Sequence, residues 1–203
     1  GSFLEFLTPG VVMMTALSSA AWAGTTYVQD MDRGVMDRLL ASPVSRAAMM
    51  SSSLAYQAIV TVGQTLVIIG IALACGASFP GGVRGGLITA LAAVLLSLVF
   101  AALSNAVALL ARQQEALIGI SQLITFPLMF LSSAFMDTRL SPSWVRHIAA
   151  FNPMEWATVA SRQALRASAD WSVVWGRLGL LAGLALVMGF VATKAFRAYQ
   201  KSI

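Results

Sequence analysis

Charged residues are scarce in this chain of 203 amino acids: they make up 10% of the sequence, while 58% of the residues are hydrophobic and the mean hydropathy is +0.80. Soluble domains carry roughly 25% charged residues. A core of this size cannot hide so much apolar surface from water. A water-soluble monomer is therefore excluded, and we expect an integral membrane protein.

Residues that perform catalysis are also nearly absent. Cys75 is the only cysteine and His147 the only histidine, so neither a disulfide nor a zinc or haem site has a ligand set. We expect Cys75 to be a buried, inert thiol. The sequence has no G-x-S-x-G, H-E-x-x-H or P-loop motif. We therefore expect no catalytic site, metal or cofactor on this chain, and its singly scattered basic residues give no indication of nucleic-acid binding.

Five apolar runs are each long enough for a transmembrane helix, which needs about 20 residues. They lie at 9–28, 54–75, 87–111, 116–136 and 173–193. The runs are continuously apolar, as helices in lipid require, and short polar segments separate most of them. The sequence predicts an all-α polytopic membrane protein with a single transmembrane domain over 1–203.

The membrane orientation follows from basic residues at the C-terminus. Lys194, Arg197 and Lys201 lie just beyond the last predicted span, and basic residues favour the cytoplasmic side. The C-terminus is therefore expected in the cytoplasm and Phe3 outside.

The segment 30–42 has the pattern of a short amphipathic helix. Met31, Val35 and Leu39 recur every four residues, with Met36 and Leu40 beside them. Pro43 ends the helix, because a proline disfavours helical geometry in the residue before it. The helix either lies on the membrane surface or docks its apolar ridge into a cytoplasmic partner protein.

The segment 137–168 contains two signals for helix starts. Ser141-Pro142 and Asn152-Pro153 each combine an N-cap residue with a proline at the first helical position, and Glu155 can complete a capping box at the second start. The nearby tryptophans are typical of the membrane interface. We expect two short amphipathic helices at the outer leaflet. Because the preceding span carries Pro127, the chain is also expected to re-enter the membrane here.

Four uncharged polar residues lie within the predicted spans: Gln57, Gln64, Asn105 and Gln122. They either form hydrogen bonds between helices or line a substrate path. None of these four is an acid or a base, so an ion-coupled carrier lacks its usual groups.

Two motifs of known form occur in these segments. Residues 32–43 follow the form E-x-G-T-x-E-x-L-x-x-T-P, with Asp32 and Asp37 in place of the two glutamates. Val35 and Ser42 replace its two threonines. The second motif is a small and aromatic run, then L-P-x-W, then N-P-[LM] with an aromatic residue two positions on. It is matched at 132–135, at 140–144 with one inserted residue, and at 152–156.

With these motifs the chain resembles, over 3–203, the membrane subunit of type 2 ATP-binding cassette exporters, in particular the daunorubicin-resistance and nodulation branch. The resemblance implies that the first of six usual spans is missing here. It also implies a dimer of permease subunits, identical or different, with two ATPase subunits that bind ATP and Mg²⁺.

The resemblance further implies roles for the two unusual segments. The first acts as the ATPase-coupling helix, through Met31, Asp32, Arg33, Gly34, Val35, Met36, Asp37, Leu39, Leu40 and Pro43. The second forms an outer-leaflet lid, for which the candidate residues are Pro142, Trp144, Asn152, Pro153 and Trp156.

The leading hypothesis is a permease subunit in a bacterial plasma membrane that exports an amphiphilic drug or lipid, energised by a separate ATPase. A secondary carrier and a non-transporting membrane scaffold are the alternatives. The sequence leaves the cargo and the identity of the partner chains open.

Overall fold

The computed structural model describes residues 3–134 and 140–201, without the side chain of Gln200. These two segments contain nine α-helices and no strand. The helices are α1 (Phe3–Ala21), α2 (Thr25–Asp32), α3 (Val35–Leu40), α4 (Arg46–Ala74), α5 (Gly82–Ala111), α6 (Gln114–Phe130), α7 (Ser143–Ala149), α8 (Pro153–Leu165) and α9 (Trp171–Lys201).

Four helical segments of the described chain are long and apolar enough to cross a membrane. They are Phe3–Asp32, which joins α1 and α2, together with Arg46–Ala74, Gly82–Ala111 and Trp171–Tyr199. The prediction of an all-α polytopic membrane protein is thereby confirmed.

The predicted span at 116–136 forms a shorter helix than expected. Helix α6 has 17 residues, which corresponds to about 26 Å at 1.5 Å per residue, against a hydrocarbon core of about 30 Å. The chain turns at Leu131, whose N–H donates to the carbonyl of Pro127. The helix therefore ends before a complete crossing, and the last two residues of the predicted span lie outside the described chain.

Helix α5 lies at the centre of the bundle and packs against α1, α4, α8 and α9. Its buried surface is rich in small residues, among them Ala92, Ala93 and Ala101. Small residues let helix backbones approach closely in a membrane, where packing rather than water exclusion drives association. Gly85 shows how close the approach is, because a Cβ there would lie 2.6 Å from the carbonyl oxygen of Ala164 in α8.

We name the two ends of the bundle after a helix found at each. The α3 end is where α5 and α9 end, and the α8 end is where α1 and α5 begin. At the α3 end the Arg112 guanidinium lies 4.6 Å from the ring centroid of Tyr199, which joins the α5 C-terminus to the α9 C-terminus. At the α8 end Ser78 donates to Glu5, which joins the loop after α4 to the start of α1. Cys75, expected to be buried, is exposed at this end.

Candidate functional site

The segment 30–42, predicted as one helix, is divided in two at Gly34. Helix α2 runs to Asp32 and continues the first span, and α3 begins at Val35. Gly34 has φ +69°, a left-handed conformation that glycine adopts without steric cost and that ends helices. The single coupling helix over 30–42 is therefore corrected to a helix end, a glycine turn and a six-residue helix.

The predicted apolar ridge of this segment faces its own chain. Met36 is 1% exposed and belongs to a buried cluster with Val28 and Leu109. Met31 and Leu40 pack against the same cluster. Met31, Met36 and Leu40 are thus used inside the bundle, which corrects the expectation that the whole ridge is available to a partner.

The exposed surface of residues 32–44 includes one member of the ridge, Val35. The exposed residues are Asp32, Arg33, Val35, Asp37, Arg38, Ala41, Pro43 and Val44. Val35, Ala41, Pro43 and Val44 are the apolar members, and the remainder carry charges of both signs. A partner protein at this end would therefore meet a largely charged surface with a small apolar centre.

Three of the four predicted path residues form hydrogen bonds between helices. Gln57 donates to the Ser19 hydroxyl at 2.9 Å, and Ser19 in turn donates to Gln64 at 3.3 Å, so α1 and α4 are joined. Asn105 of α5 donates to the Ser53 hydroxyl of α4 at 3.1 Å. Gln122 is half-buried on α6, and the structure does not bring the four residues together at one site.

A groove of about 840 Å³, named here the α1–α4 groove, lies between α1, α2, α3 and α4. The residues that line it include Ser19, Trp22, Tyr27, Asp30, Leu39, Ala48, Ser53, Tyr56 and Gln57. Gln57 is thus the one predicted path residue on its wall. Volumes of 300–1,000 Å³ are typical of small-molecule sites.

The starts of α7 and α8 differ in how far they follow the sequence signals. Asn152 caps α8 as predicted, because its side chain accepts from the Met154 N–H at 2.9 Å, and its amide nitrogen also donates to the carbonyl of Leu128 at 2.8 Å. Helix α7 begins one residue later than predicted. Pro142 is its N-cap and not its first helical residue, so the expected Ser141 cap is wrong.

Helix α8 is embedded in the bundle and does not lie on its surface. Its start is bonded to Leu128 in α6, whereas its end lies against Gly81 and Gly85 at the start of α5. Ser161 is buried and hydrogen-bonded to Thr89 at 2.8 Å. Because such polar side chains find partners inside the protein, the helix can be buried.

The residues proposed for the lid have different environments. Trp144 on α7 is exposed, whereas Asn152 is buried and Trp156 is half-buried and donates to the Ala150 carbonyl at 2.8 Å. Residues 135–139, which include the predicted start of this segment at Asp137, lie outside the described chain.

Two charged residues of α8 have a position that the sequence reasoning missed. Glu155, assigned to a capping box, is 8% exposed and its carboxylate accepts from the backbone N–H of Ser133. Arg162 donates to the Ala134 carbonyl at 3.3 Å and lies over the Phe6 ring at 4.0 Å. Both side chains bind the turn after α6. They lie two helical turns apart and so on the same face of α8, and this spacing was the sequence signal that could have indicated a shared contact.

Comparisons with known proteins agree with this architecture. Residues 2–166 match the sequence profile described as ABC-2 type transporter. The daunorubicin resistance ABC transporter permease protein DrrB1 of Streptomyces coeruleorubidus is 29% identical over 199 residues, which cover 96% of this chain and 69% of the relative. A putative transport permease ycf38 of Porphyra purpurea is 26% identical, covering 88% of this chain and 64% of the relative.

A third relative is the probable doxorubicin resistance ABC transporter permease protein DrrC of Mycobacterium tuberculosis, which is 26% identical over 186 residues. The match covers 92% of this chain and 67% of that protein. This chain therefore spans about two thirds of the length of these curated relatives. No solved structure matches it.

Proposed function

This chain belongs to the ABC-2 type transporter family and is a membrane permease, and we propose that it exports an amphiphilic drug or lipid across a bacterial plasma membrane. The observation that carries the proposal is the family match over 2–166, which includes the segment around Gly34. Relatives named for daunorubicin and doxorubicin resistance support a cargo of this kind.

Energy for export comes from a separate ATPase subunit that binds ATP and Mg²⁺, and the chain has no catalytic site of its own. The ATPase binds at the α3 end, where Val35 and Pro43 lie exposed among charged residues. A second permease subunit, identical or homologous, completes the transport path.

The α3 end and the C-terminus face the cytoplasm. Arg33, Arg38, Arg46 and Arg112 are exposed or half-buried there, as the positive-inside rule requires. At the α8 end Arg162 is held by Phe6 and Ala134 within the protein, so it does not act as a loop charge.

The test is transport by the permease reconstituted in liposomes together with the ATPase subunit that co-purifies with it. We expect ATP-driven accumulation of doxorubicin, or of a fluorescent phospholipid, that is lost when the P-loop lysine of the ATPase is replaced by alanine. Accumulation driven by an ion gradient without the ATPase would instead identify a secondary carrier. No accumulation under either condition would identify a scaffold.

A further inference from the structure

The α1–α4 groove has a wall of uneven chemistry. Asp30 is the only charged residue among the described residues that line it, and no Lys, Arg or His does so. Trp22, Tyr27 and Tyr56 contribute three aromatic rings. The groove therefore combines one negative charge with apolar and aromatic surface.

The length of the groove suits a molecule with a charged end and an apolar body. Asp30 lies at the α3 end, while Ser19 and Gln57 form a hydrogen-bonded pair further into the bundle. Gln57 lies eleven positions after Arg46, the first residue of α4, which corresponds to about 16 Å of helix.

We propose that the α1–α4 groove is a binding site for amphiphilic cations, with Asp30 as the counter-charge near the α3 end and the aromatic rings as the apolar contact. A carboxylate strengthens hydrogen bonds from a charged donor, and aromatic faces attract cations. The carboxylate of Asp30 would repel the charged end of an anionic amphiphile. The proposal rests on the proposed function, because it assigns the groove as the place where the exporter takes up its cargo.

The groove also touches the segment assigned to ATPase contact. Leu39 of α3 and Val44 after it line the groove, and Val44 is exposed beside Pro43. A bound cation would therefore lie against the same short segment as the ATPase. This contact provides a physical route by which an occupied groove stimulates ATP hydrolysis.

The first experiment compares two probes of the same shape and opposite charge, tetraphenylphosphonium and tetraphenylborate. Binding is measured on the permease–ATPase complex in phosphatidylcholine nanodiscs, as the fraction that an excess of the unlabelled probe displaces. We expect the Asp30→Asn variant to bind the phosphonium about tenfold more weakly, because the variant loses the Coulombic attraction between the carboxylate and the cation. Glu115→Gln is the matched control, because Glu115 is an exposed carboxylate at the same end outside the groove.

The second experiment fills the groove. Ala47 and Ala48 are both exposed, but only Ala48 is among the residues that line the groove. We expect Ala48→Trp to abolish phosphonium binding and phosphonium-stimulated ATP hydrolysis, and Ala47→Trp to change neither. Equal thermal unfolding midpoints for the two variants exclude misfolding as the cause.

Three results would overturn the proposal. The first is wild-type phosphonium affinity in Asp30→Asn or in Ala48→Trp. The second is tetraphenylborate binding as tight as phosphonium binding in the wild type. The third is an Ala48→Cys variant in a Cys75→Ser background that thiol reagents cannot reach without any probe, because this would show that another protein segment fills the groove. Doxorubicin export by the wild-type complex tests the proposed function separately, so export with unchanged Asp30→Asn binding refutes this inference alone.

Discussion

At the residue scale, Glu155 carries a carboxylate on a buried side chain of the described chain. Removing a charge from water costs several kcal/mol or more, and it persists only where hydrogen bonds compensate. Here the backbone N–H of Ser133, 22 residues earlier, supplies such a bond. Glu155 therefore links the start of α8 to the turn that follows α6.

The first prediction follows from this bond. Glu155→Ala leaves the Ser133 N–H buried without its acceptor and is expected to lower the free energy of unfolding by about 1–3 kcal/mol. Glu155→Gln keeps an oxygen acceptor and is expected to lose less. The midpoint of thermal unfolding in detergent micelles measures both. Glu115→Ala, at an exposed carboxylate, is the control, and equal midpoints for the two alanine variants would show that the bond contributes nothing.

The second prediction concerns close backbone approach at glycine. A Cβ on Gly10 would collide with the carbonyl oxygen of Ala134, which belongs to the same turn, whereas a Cβ on Gly63 in α4 would meet nothing within 4 Å. Gly10→Ala should therefore lower stability by about 1–3 kcal/mol through overpacking. Gly63→Ala should leave stability unchanged or raise it by up to about 1 kcal/mol.

Thermal unfolding of the two glycine variants in the same detergent is the measurement. Both exchanges add one methyl group to a helix, so helix propensity acts equally in them. A Gly10→Ala protein as stable as the Gly63→Ala protein would mean that α1 does not approach Ala134 this closely.

At the element scale, α3 has two faces with different tasks. Met36 points into the cluster that joins α2, α4 and α5, whereas Val35 is exposed. In the sequence, both residues belong to the same apolar pattern, which does not distinguish them. Only the packing shows that one stabilises the bundle and the other is available to a partner.

The third prediction separates these tasks. Val35→Glu should leave folding intact but reduce cargo-stimulated ATP hydrolysis at least fivefold, because central residues carry most of the energy of an interface. Met36→Glu should instead prevent folding, because it buries an unpaired charge. ATPase rates of the reconstituted complex and recovery of monodisperse protein are the two measurements.

Val83→Glu is the matched control for the exposed site. Val83 is also an exposed apolar residue, but it lies at the α8 end, so its replacement should leave cargo-stimulated hydrolysis unchanged. If Val35→Glu and Val83→Glu hydrolyse ATP alike, the ATPase does not contact α3 through Val35.

At the scale of the whole molecule, α5 organises the bundle and the two ends collect different loops. The α3 end holds the starts of α4 and α6 and the end of α9, and the α8 end holds the start of α1 and the loop between α4 and α5. The packing of the helices alone shows which loops lie at the same end of the bundle, without reference to the membrane. Assigning the α3 end to the cytoplasm relies on the basic residues there.

The fourth prediction is the labelling pattern of single cysteines. Cysteines in place of Arg84 or Arg166 should react with a membrane-impermeant maleimide on intact cells, and cysteines in place of Glu115 or Lys201 only after the membrane is opened. The background must carry Cys75→Ser, because Cys75 is exposed. The reverse pattern would invert the orientation and place the ATPase at the α8 end. The predicted external position of Asp137 can be tested with the same reagent.

The sequence by itself determined the membrane class, four of the spanning helices and the cap at Asn152. Each of these depends on residues that are close together in the chain. A span is a run of apolar side chains, and the cap is a hydrogen bond that the Asn152 side chain accepts from the backbone N–H two positions later. The family motifs are local in the same sense, which is why the family could be recognised before the structure.

Only the tertiary structure decided which polar and apolar residues are used inside the protein. Met36 is buried against a cluster from distant helices, α8 is enclosed by α1, α5 and α9, and Glu155 binds a turn in another part of the chain. The α1–α4 groove likewise combines Asp30 with Gln57 and Tyr56 from another helix. Side-chain periodicity shows which face of a helix is apolar, but what that face contacts depends on how the helices pack together.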